Sequence, residues 1–225
     1  VLTQVIVSAD IFAPPCVRSV PVTSTPNLHE MRRQSTREAL RQAALASFAS
    51  RGFSNVTVTE LAREAGVTER TFFRHFPTKE AIWVAAMGWL HAQLLSALTH
   101  ASQDAPTPLA SLEAVFKAHV TFVASHPGVP RLIFHELQQA TDSAVKQEVR
   151  TLLQAYRKLL MSLLGAAAER GQVPGGLDRE AAATLFVGIV QGLVMQSMLS
   201  GKPGTLKAQA DRVFAIYLRG ICEAA

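Results

Sequence analysis

Hydrophobic residues recur every three to four positions along most of the chain, starting near residue 35. Leu40, Ala44 and Phe48 fall on one such stripe, which ends at Gly52, and comparable stripes continue to residue 223. This spacing places the apolar side chains on one face of an α-helix. No segment alternates β-branched and polar residues for long enough to predict a strand. The pattern therefore predicts an all-α fold.

Two short helices are predicted between residues 57 and 76. Thr57 and Glu60 have the spacing of a capping box, and the helix that they begin ends at Gly66. Thr68 is the N-cap of a second short helix, and Thr78 begins a much longer one. Pro- and Gly-containing turns divide the remainder into six predicted helices: 78–101, 109–125, 129–140, 142–170, 178–199 and 205–223.

The first residues differ from the rest of the chain. Residues 1–30 contain four prolines and no helical period, which predicts a poorly ordered leader over 1–31. Met31 stands directly before the first helical pattern and is a candidate translational start. The expected domains are therefore the leader 1–31, a small helical domain at 32–77 and a larger one at 78–225.

The positive charge is concentrated near the small domain. The whole chain has a formal net charge of +5, and residues 32–80 contain nine basic against five acidic side chains. Such a concentration is typical of a surface that binds nucleic acid, although a solvated basic face gives the same count. The two cysteines, Cys16 and Cys222, are too far apart in the sequence to indicate a disulfide framework. Neither a secretory signal nor a membrane-spanning run is recognisable, so a cytoplasmic protein without a membrane partner is expected.

The paired short helices are typical of a helix-turn-helix unit. Small apolar residues allow them to pack closely, and the second helix then presents Arg70, Thr71, Phe73 and Arg74 outward. Two ordinary helices of a bundle remain the alternative on geometry alone.

From Thr57 to Glu80 the sequence resembles the TetR/AcrR-type transcriptional repressors. The shared positions read T-V-x-x-L-A-x-x-A-G-V-T-x-x-T-F-F-x-H-F-x-T-K-E. The resemblance implies a three-helix DNA-binding head and a C-terminal helical bundle for ligand binding and dimerisation. Phe73 stands where the family often has a phosphate-binding tyrosine, and Lys79 stands at the family's phosphate-binding lysine. Three arginines that precede or open the first helix are candidates for the DNA backbone or minor groove, with a solvated helix start as the alternative. The candidate DNA-binding residues are Arg32, Arg33, Arg37, Thr57, Thr59, Thr68, Glu69, Arg70, Thr71, Phe73, Arg74, His75 and Lys79.

The helices after residue 80 are implied to form an effector pocket and a dimer interface. Stripes of aromatic and apolar residues with a few polar ones favour a mostly hydrophobic ligand, although such stripes are also typical of a plain core. The candidate pocket residues are Trp83, Met87, Leu90, Phe116, His119, Phe122, Phe134, His135, Gln138 and Tyr156. The helix from Asp178 is too apolar to have one face in water, and it and the last helix are expected to pair with their copies; burial of both helices within a monomer is the alternative. The candidate interface residues are Leu185, Gly188, Ile189, Gly192, Phe214 and Tyr217.

The sequence contains no recognisable catalytic motif. His135-Glu136 begins like a zinc-protease helix, but Gln139 occupies the position of the second histidine. We therefore predict no catalytic residue, cofactor or metal site. The expected function is that of a homodimeric regulator, more often a repressor, which binds a palindromic DNA operator and is released by a small molecule. The alternatives are an all-α enzyme and a helical adaptor that binds only protein.

Overall fold

The structure is a computed structural model that describes residues 27–201 and 204–223. These residues form nine α-helices and no β-strand, which confirms the all-α prediction for the described part of the chain. The helices in chain order are α1 (Leu28–Arg51), α2 (Val58–Glu64), α3 (Glu69–His75), α4 (Lys79–Gln103), α5 (Pro108–Ser125), α6 (Val129–Gln138), α7 (Ala144–Glu169), α8 (Arg179–Ser200) and α9 (Gly204–Cys222).

Helices α1 to α3 form a small head. Its core contains Leu40, Phe48, Leu61 and Phe72, each fully buried, and continues into the first turns of α4. The capping box at the start of α2 forms as predicted. Between α2 and α3 the chain turns at Gly66, whose φ of 69° lies in the left-handed region that favours glycine.

Helix α1 begins earlier than the sequence pattern predicts. Its first residue is Leu28, because the Asn27 side chain caps the helix by accepting from the His29 N–H at 3.2 Å. The predicted leader boundary at residue 31 is therefore wrong, since it falls inside this helix. Residues 1–26, which contain the rest of that predicted leader, lie outside the described residues.

Helices α4 to α9 form the body of the protein. The core of this body is centred on an aromatic cluster, in which Phe116 stacks on Phe214 at 4.7 Å and Phe186 meets Tyr217 edge-on at 5.5 Å. Helix α4 joins the two parts, since it packs against α1 of the head and against α5 and α7 of the body.

Two described helices, α4 and α8, are long and apolar enough to cross a membrane by length and composition alone. The core helices of folded proteins meet the same criterion. The buried side of α4 accounts for much of its hydrophobicity, because eight of its residues, from Ile82 to Leu98, are buried by neighbouring helices. The hydrophobicity of α8 has two sources, one in the core and one at the surface, which is described below.

Candidate DNA-binding surface and effector cavity

The exposed side of α3 is polar and basic. Arg70 and Arg74 are exposed and form no salt bridge with the part of the chain that the structure describes. Phe73 is 49% exposed, and Phe72 of the same helix is fully buried. Thr68 caps the helix by accepting from the Thr71 N–H at 3.2 Å. Helix α3 therefore presents two available guanidinium groups and an exposed aromatic ring on a rigid support.

Polar contacts fix α2 and α3 in the head. Arg51 at the end of α1 forms salt bridges to Glu60 at 2.9 Å and to Glu64 at 2.8 Å. The Thr59 hydroxyl donates to the Glu69 carboxylate at 2.6 Å and so connects α2 with α3. Among the predicted DNA-binding residues, Thr59 and Glu69 thus have structural partners, and so does the capping residue Thr57.

A cluster of arginines surrounds His75 at the end of α3. Burial lowers the pKa of His75, and the positive charges of Arg74, Arg33 and Arg37 lower it further. The Arg37 guanidinium also lies over the Phe76 ring at 4.8 Å. Predicted residues from α1 and α3 are therefore close enough to produce one shared positive potential, which favours a phosphate group. Arg32 is exposed on the same helix as Arg33.

The side chain of Lys79 is engaged within the protein. Its Nζ atom donates to the carbonyl oxygens of Phe53 and Val56, both at 2.9 Å, and lies 4.3 Å from the centre of the Phe53 ring. The structure therefore does not place this ammonium free on the surface, as the phosphate-binding prediction requires. Instead, Lys79 connects the first turn of α4 to the loop between α1 and α2.

A cavity of about 160 Å³, partly open to solvent, lies in the body among α4, α5, α6, α7 and α8. Its wall is almost entirely apolar, and none of the lining side chains is Asp, Glu, Lys or Arg. The lining consists of Leu90, His91, Leu94, His119, Phe122, Val123, His126, Val129, Pro130, Ile133, Phe134, Leu137, Val149, Leu152, Leu153, Tyr156, Val187, Val190, Gln191 and Val194. A volume of this order is enough for a molecule about the size of benzene.

Half of the predicted pocket residues line this cavity, namely Leu90, His119, Phe122, Phe134 and Tyr156. The other five do not, and the structure gives the reason for each. Trp83 and Met87 are buried in the core shared with the head, and Phe116 is buried against Phe186 and Phe214. His135 and Gln138 are exposed, because the apolar residues of the short α6 occupy the cavity side and these two lie on the other.

Three histidines line the cavity, and their hydrogen bonds differ. His119 pairs through Nδ1 with the Tyr156 hydroxyl at 3.1 Å, and His126 pairs through Nδ1 with the Phe122 carbonyl oxygen at 2.8 Å. Neither ring nitrogen of His91 has a hydrogen-bond partner among the described residues. Burial lowers the pKa of both His91 and His119 to about 4. The Glu148 backbone raises the pKa of His91, but this effect is smaller than that of burial. Both imidazoles are therefore neutral at pH 7.

Sequence reasoning missed His91 as a cavity residue. It lies on the same stripe of α4 as Leu90 and Leu94, so a histidine within an otherwise apolar stripe was the available signal. Within residues 27–201 and 204–223, no three His, Cys, Asp or Glu side chains come together as a metal site.

Helix α6 lines the cavity on one side and contacts the head at its start. A Cβ atom added to Gly128 would lie 2.5 Å from the backbone oxygen of Ala49 in α1, so only glycine permits this approach. Arg131, one turn further, donates to the Ala49 carbonyl oxygen at 3.0 Å and to that of Ser50 at 3.4 Å. The last carbonyl groups of a helix lack hydrogen-bond donors within the helix. The guanidinium group of Arg131 in the body donates to two of these carbonyl groups at the end of α1.

An exposed apolar surface covers one side of α8 and α9. Leu185 is 54% exposed and Ile216 is 62% exposed, and Gly188 and Gly192 have open space where a side chain would be. Ile189, also predicted for the interface, is partly exposed. The prediction that Phe214 and Tyr217 belong to this surface is wrong. Both are buried in the core of the protomer, where the Tyr217 hydroxyl donates to the Ala182 carbonyl oxygen at 3.1 Å.

A helix-turn-helix head with a basic face, joined by one long helix to an all-α body that contains an apolar cavity, defines a ligand-responsive DNA-binding regulator. Residues 40–86 match the family model described as bacterial regulatory proteins, tetR family. Residues 108–213 match the model described as the tetracyclin repressor-like C-terminal domain. The chain belongs to the TetR family of transcriptional regulators, and the prediction from residues 57–80 is confirmed.

Similar proteins include other regulators of this family. The fatty acid metabolism regulator protein of Bacillus subtilis is 22% identical over 80% of this chain and 92% of its own. The HTH-type transcriptional regulator TtgR of Pseudomonas putida is 27% identical over 74% of this chain and 81% of its own. The crystal structure of FadR from Bacillus subtilis in complex with stearoyl-CoA has the same fold, with a TM-score of 0.73 at 22% identity, and the match covers 82% of this chain and 98% of that one. The chain is therefore a regulator and not an enzyme, and the enzyme and adaptor alternatives are not favoured.

Proposed function

We propose that the protein is a cytoplasmic repressor that binds a palindromic operator as a homodimer and releases it when a small molecule fills the cavity. The observation that carries the release step is the double role of α6. Pro130, Ile133 and Phe134 of this helix line the cavity, whereas Gly128 and Arg131 contact the head. A ligand that displaces α6 therefore also changes the position of α1.

The DNA-binding part of the proposal assigns base contacts to α3 and phosphate contacts to the arginine cluster. Arg70 is the candidate for a base contact, because it is exposed near the N-terminus of α3, the part of a recognition helix that enters the major groove. Arg33, Arg37 and Arg74 lie together around His75 and supply the charge that a phosphate requires.

The homodimer part of the proposal depends on the exposed apolar surface of α8 and α9. Leu185 and Ile216 would lose contact with water when two copies pair through this surface, and Gly188 and Gly192 allow close approach of the helices. A two-fold dimer also supplies the two recognition helices, about 34 Å or a multiple of it apart, that a palindromic operator needs.

Selection of DNA from a random library, followed by fluorescence anisotropy over a salt series, tests the proposal. The purified protein should bind the selected sequence far more tightly than a scrambled one at about 150 mM salt. Arg70→Ala should cost about 1–3 kcal/mol and relax the preference at one base pair in each half-site.

The matched control for this experiment is Arg170→Ala. It removes the same charge from an exposed position at the end of α7. If only net charge matters, the two variants should lose the same operator affinity. Equal losses of affinity would therefore refute the assignment of Arg70 to a base contact. Failure of selection to enrich any sequence would refute the operator-binding function.

A further inference from the structure

One of the polar groups that line the cavity is the imidazole of His119. This side chain lies deep in the body, yet it retains partial accessibility, and the cavity is the space next to it. Its Nδ1 atom is occupied by the Tyr156 hydroxyl. Its Nε2 atom has no hydrogen-bond partner among the described residues, and this atom retains some accessible surface. Nε2 is therefore available to a molecule inside the cavity.

The pairing with Tyr156 determines what Nε2 offers. Burial raises the pKa of the Tyr156 hydroxyl, so the phenol keeps its proton. The hydroxyl is fully buried, and Nδ1 of His119 is its partner among the described residues. If the hydroxyl donates to Nδ1, both groups are satisfied, and the neutral imidazole must carry its proton on Nε2. The Tyr156–His119 pair therefore holds an N–H donor toward the cavity.

The remaining wall determines the rest of the ligand's chemistry. A carboxylate or phosphate would be buried without a Lys or Arg partner, since the lining contains neither residue. The volume of about 160 Å³ corresponds to one ring with a small substituent. Phe122, Phe134 and Tyr156 present aromatic surfaces that favour a flat ring.

We infer that the cavity binds an uncharged, single-ring molecule whose carbonyl or ether oxygen accepts a hydrogen bond from His119. The inference deepens the proposed function by naming the chemical class of the effector. An eighteen-carbon chain is larger than this volume, so it would have to extend out of the cavity through its open side. Tyr156 acts as a positioning residue that fixes the proton on Nε2.

Isothermal titration calorimetry on the purified full chain without DNA tests the inference. The probes are acetophenone, its isostere α-methylstyrene, benzoate and stearoyl-CoA. Acetophenone should bind more tightly than α-methylstyrene, which has the same shape but no acceptor, and more tightly than benzoate or stearoyl-CoA. His119→Phe should weaken acetophenone about tenfold and change α-methylstyrene binding little, because it removes one hydrogen bond and preserves a flat ring.

Two further variants separate hydrogen bonding from folding. His119→Gln retains an N–H donor and should recover part of the acetophenone affinity. Tyr156→Phe should weaken acetophenone binding, because without the hydroxyl the imidazole proton is no longer held on Nε2. His100→Ala is the control on the exposed end of α4 and should leave all affinities unchanged, and circular dichroism melts report the folding of every variant.

The inference is overturned if acetophenone shows no saturable binding up to its solubility limit, or binds no better than α-methylstyrene. It is also overturned if benzoate or stearoyl-CoA binds more tightly, or if His119→Phe weakens both ring compounds equally. These measurements contain no DNA, so their failure leaves operator binding intact. Failure of the operator selection would likewise leave the cavity result unaffected.

Discussion

The contact between Gly128 and α1 gives a direct test of how the body controls the head. In Gly128→Ala the new Cβ atom would lie 2.5 Å from the Ala49 backbone oxygen, 2.7 Å from its Cβ and 2.9 Å from its carbonyl carbon. Ordinary contacts between such atoms are about 3.5–4.0 Å. The start of α6 and the end of α1 must therefore separate by about 1 Å, because two of the three clashing atoms are backbone.

This separation has a stability cost and a functional consequence. Insertion of a methyl group into a close-packed contact costs about 1–3 kcal/mol, which corresponds to a fall in Tm of roughly 2–4 °C per kcal/mol for a chain of this size. The same displacement lengthens the 3.0 Å bond between Arg131 and Ala49. If ligand binding moves α6 away from α1, the variant reproduces the liganded arrangement. We therefore expect operator affinity to fall at least tenfold without any ligand.

Fluorescence anisotropy on the selected operator measures this effect, and differential scanning calorimetry measures the cost in stability. Gly176→Ala is the matched control, because the added methyl group would meet no atom of the described residues within 4 Å and the backbone there is unstrained. If Gly128→Ala has the wild-type operator affinity despite a lowered Tm, the α6–α1 contact does not transmit the signal. In that case the transmission must pass through α4.

Three further predictions follow from other contacts. Lys79→Met should lower the Tm and weaken operator binding, because it removes the hydrogen bonds to the Phe53 and Val56 carbonyl oxygens. The dependence of log affinity on log salt concentration should keep the same slope, whereas loss of an ammonium group bound to a phosphate would change that slope by about one unit. Leu185→Glu should give monomers in light scattering and abolish cooperative operator binding, because it introduces charge into the apolar surface of α8 and α9 through which the proposed dimer pairs. The free energy of unfolding should fall as the pH is lowered from 6.5 toward 4, because His91 and His119 stay neutral in the folded protein but become protonated when it unfolds. Urea titrations should show a loss of about 1–2 kcal/mol per histidine between pH 7 and pH 5, and a variant with leucine at both positions should not show it.

Much of the fold could be predicted because local residues determine where helices begin. Thr57, Thr68, Thr78 and Asp178 all cap helices at the predicted positions, since a cap depends on residues only two or three apart. The start of α1 was missed at Asn27, where the first turns carry no apolar stripe that would extend the periodic pattern. The exposed basic residues of α3 were also predictable, because their orientation follows from helical period alone.

The partners of individual side chains could not be predicted, because they depend on tertiary packing. A lysine at the start of α4 is equally compatible with a phosphate and with the carbonyl oxygens of Phe53 and Val56. Phe214 and Ile216 are both apolar residues of α9, and the first is buried because it packs against Phe116 of α5 and Phe186 of α8, whereas the second is exposed. For the same reason the sequence could not show that His119 lines the cavity whereas His135 is exposed on the other side of α6.

The distribution of the cavity wall over five helices has a consequence for how new ligand specificities arise. Leu152, Leu153 and Val187 line the cavity from α7 and α8, whereas the head is contacted by α4 and by Gly128 and Arg131 at the start of α6. Substitutions on α7 and α8 can thus change which molecule is recognised without disturbing the output. Substitutions at these positions would therefore give a descendant of this sequence, or a biosensor built from it, a different ligand specificity while it still binds the same operator.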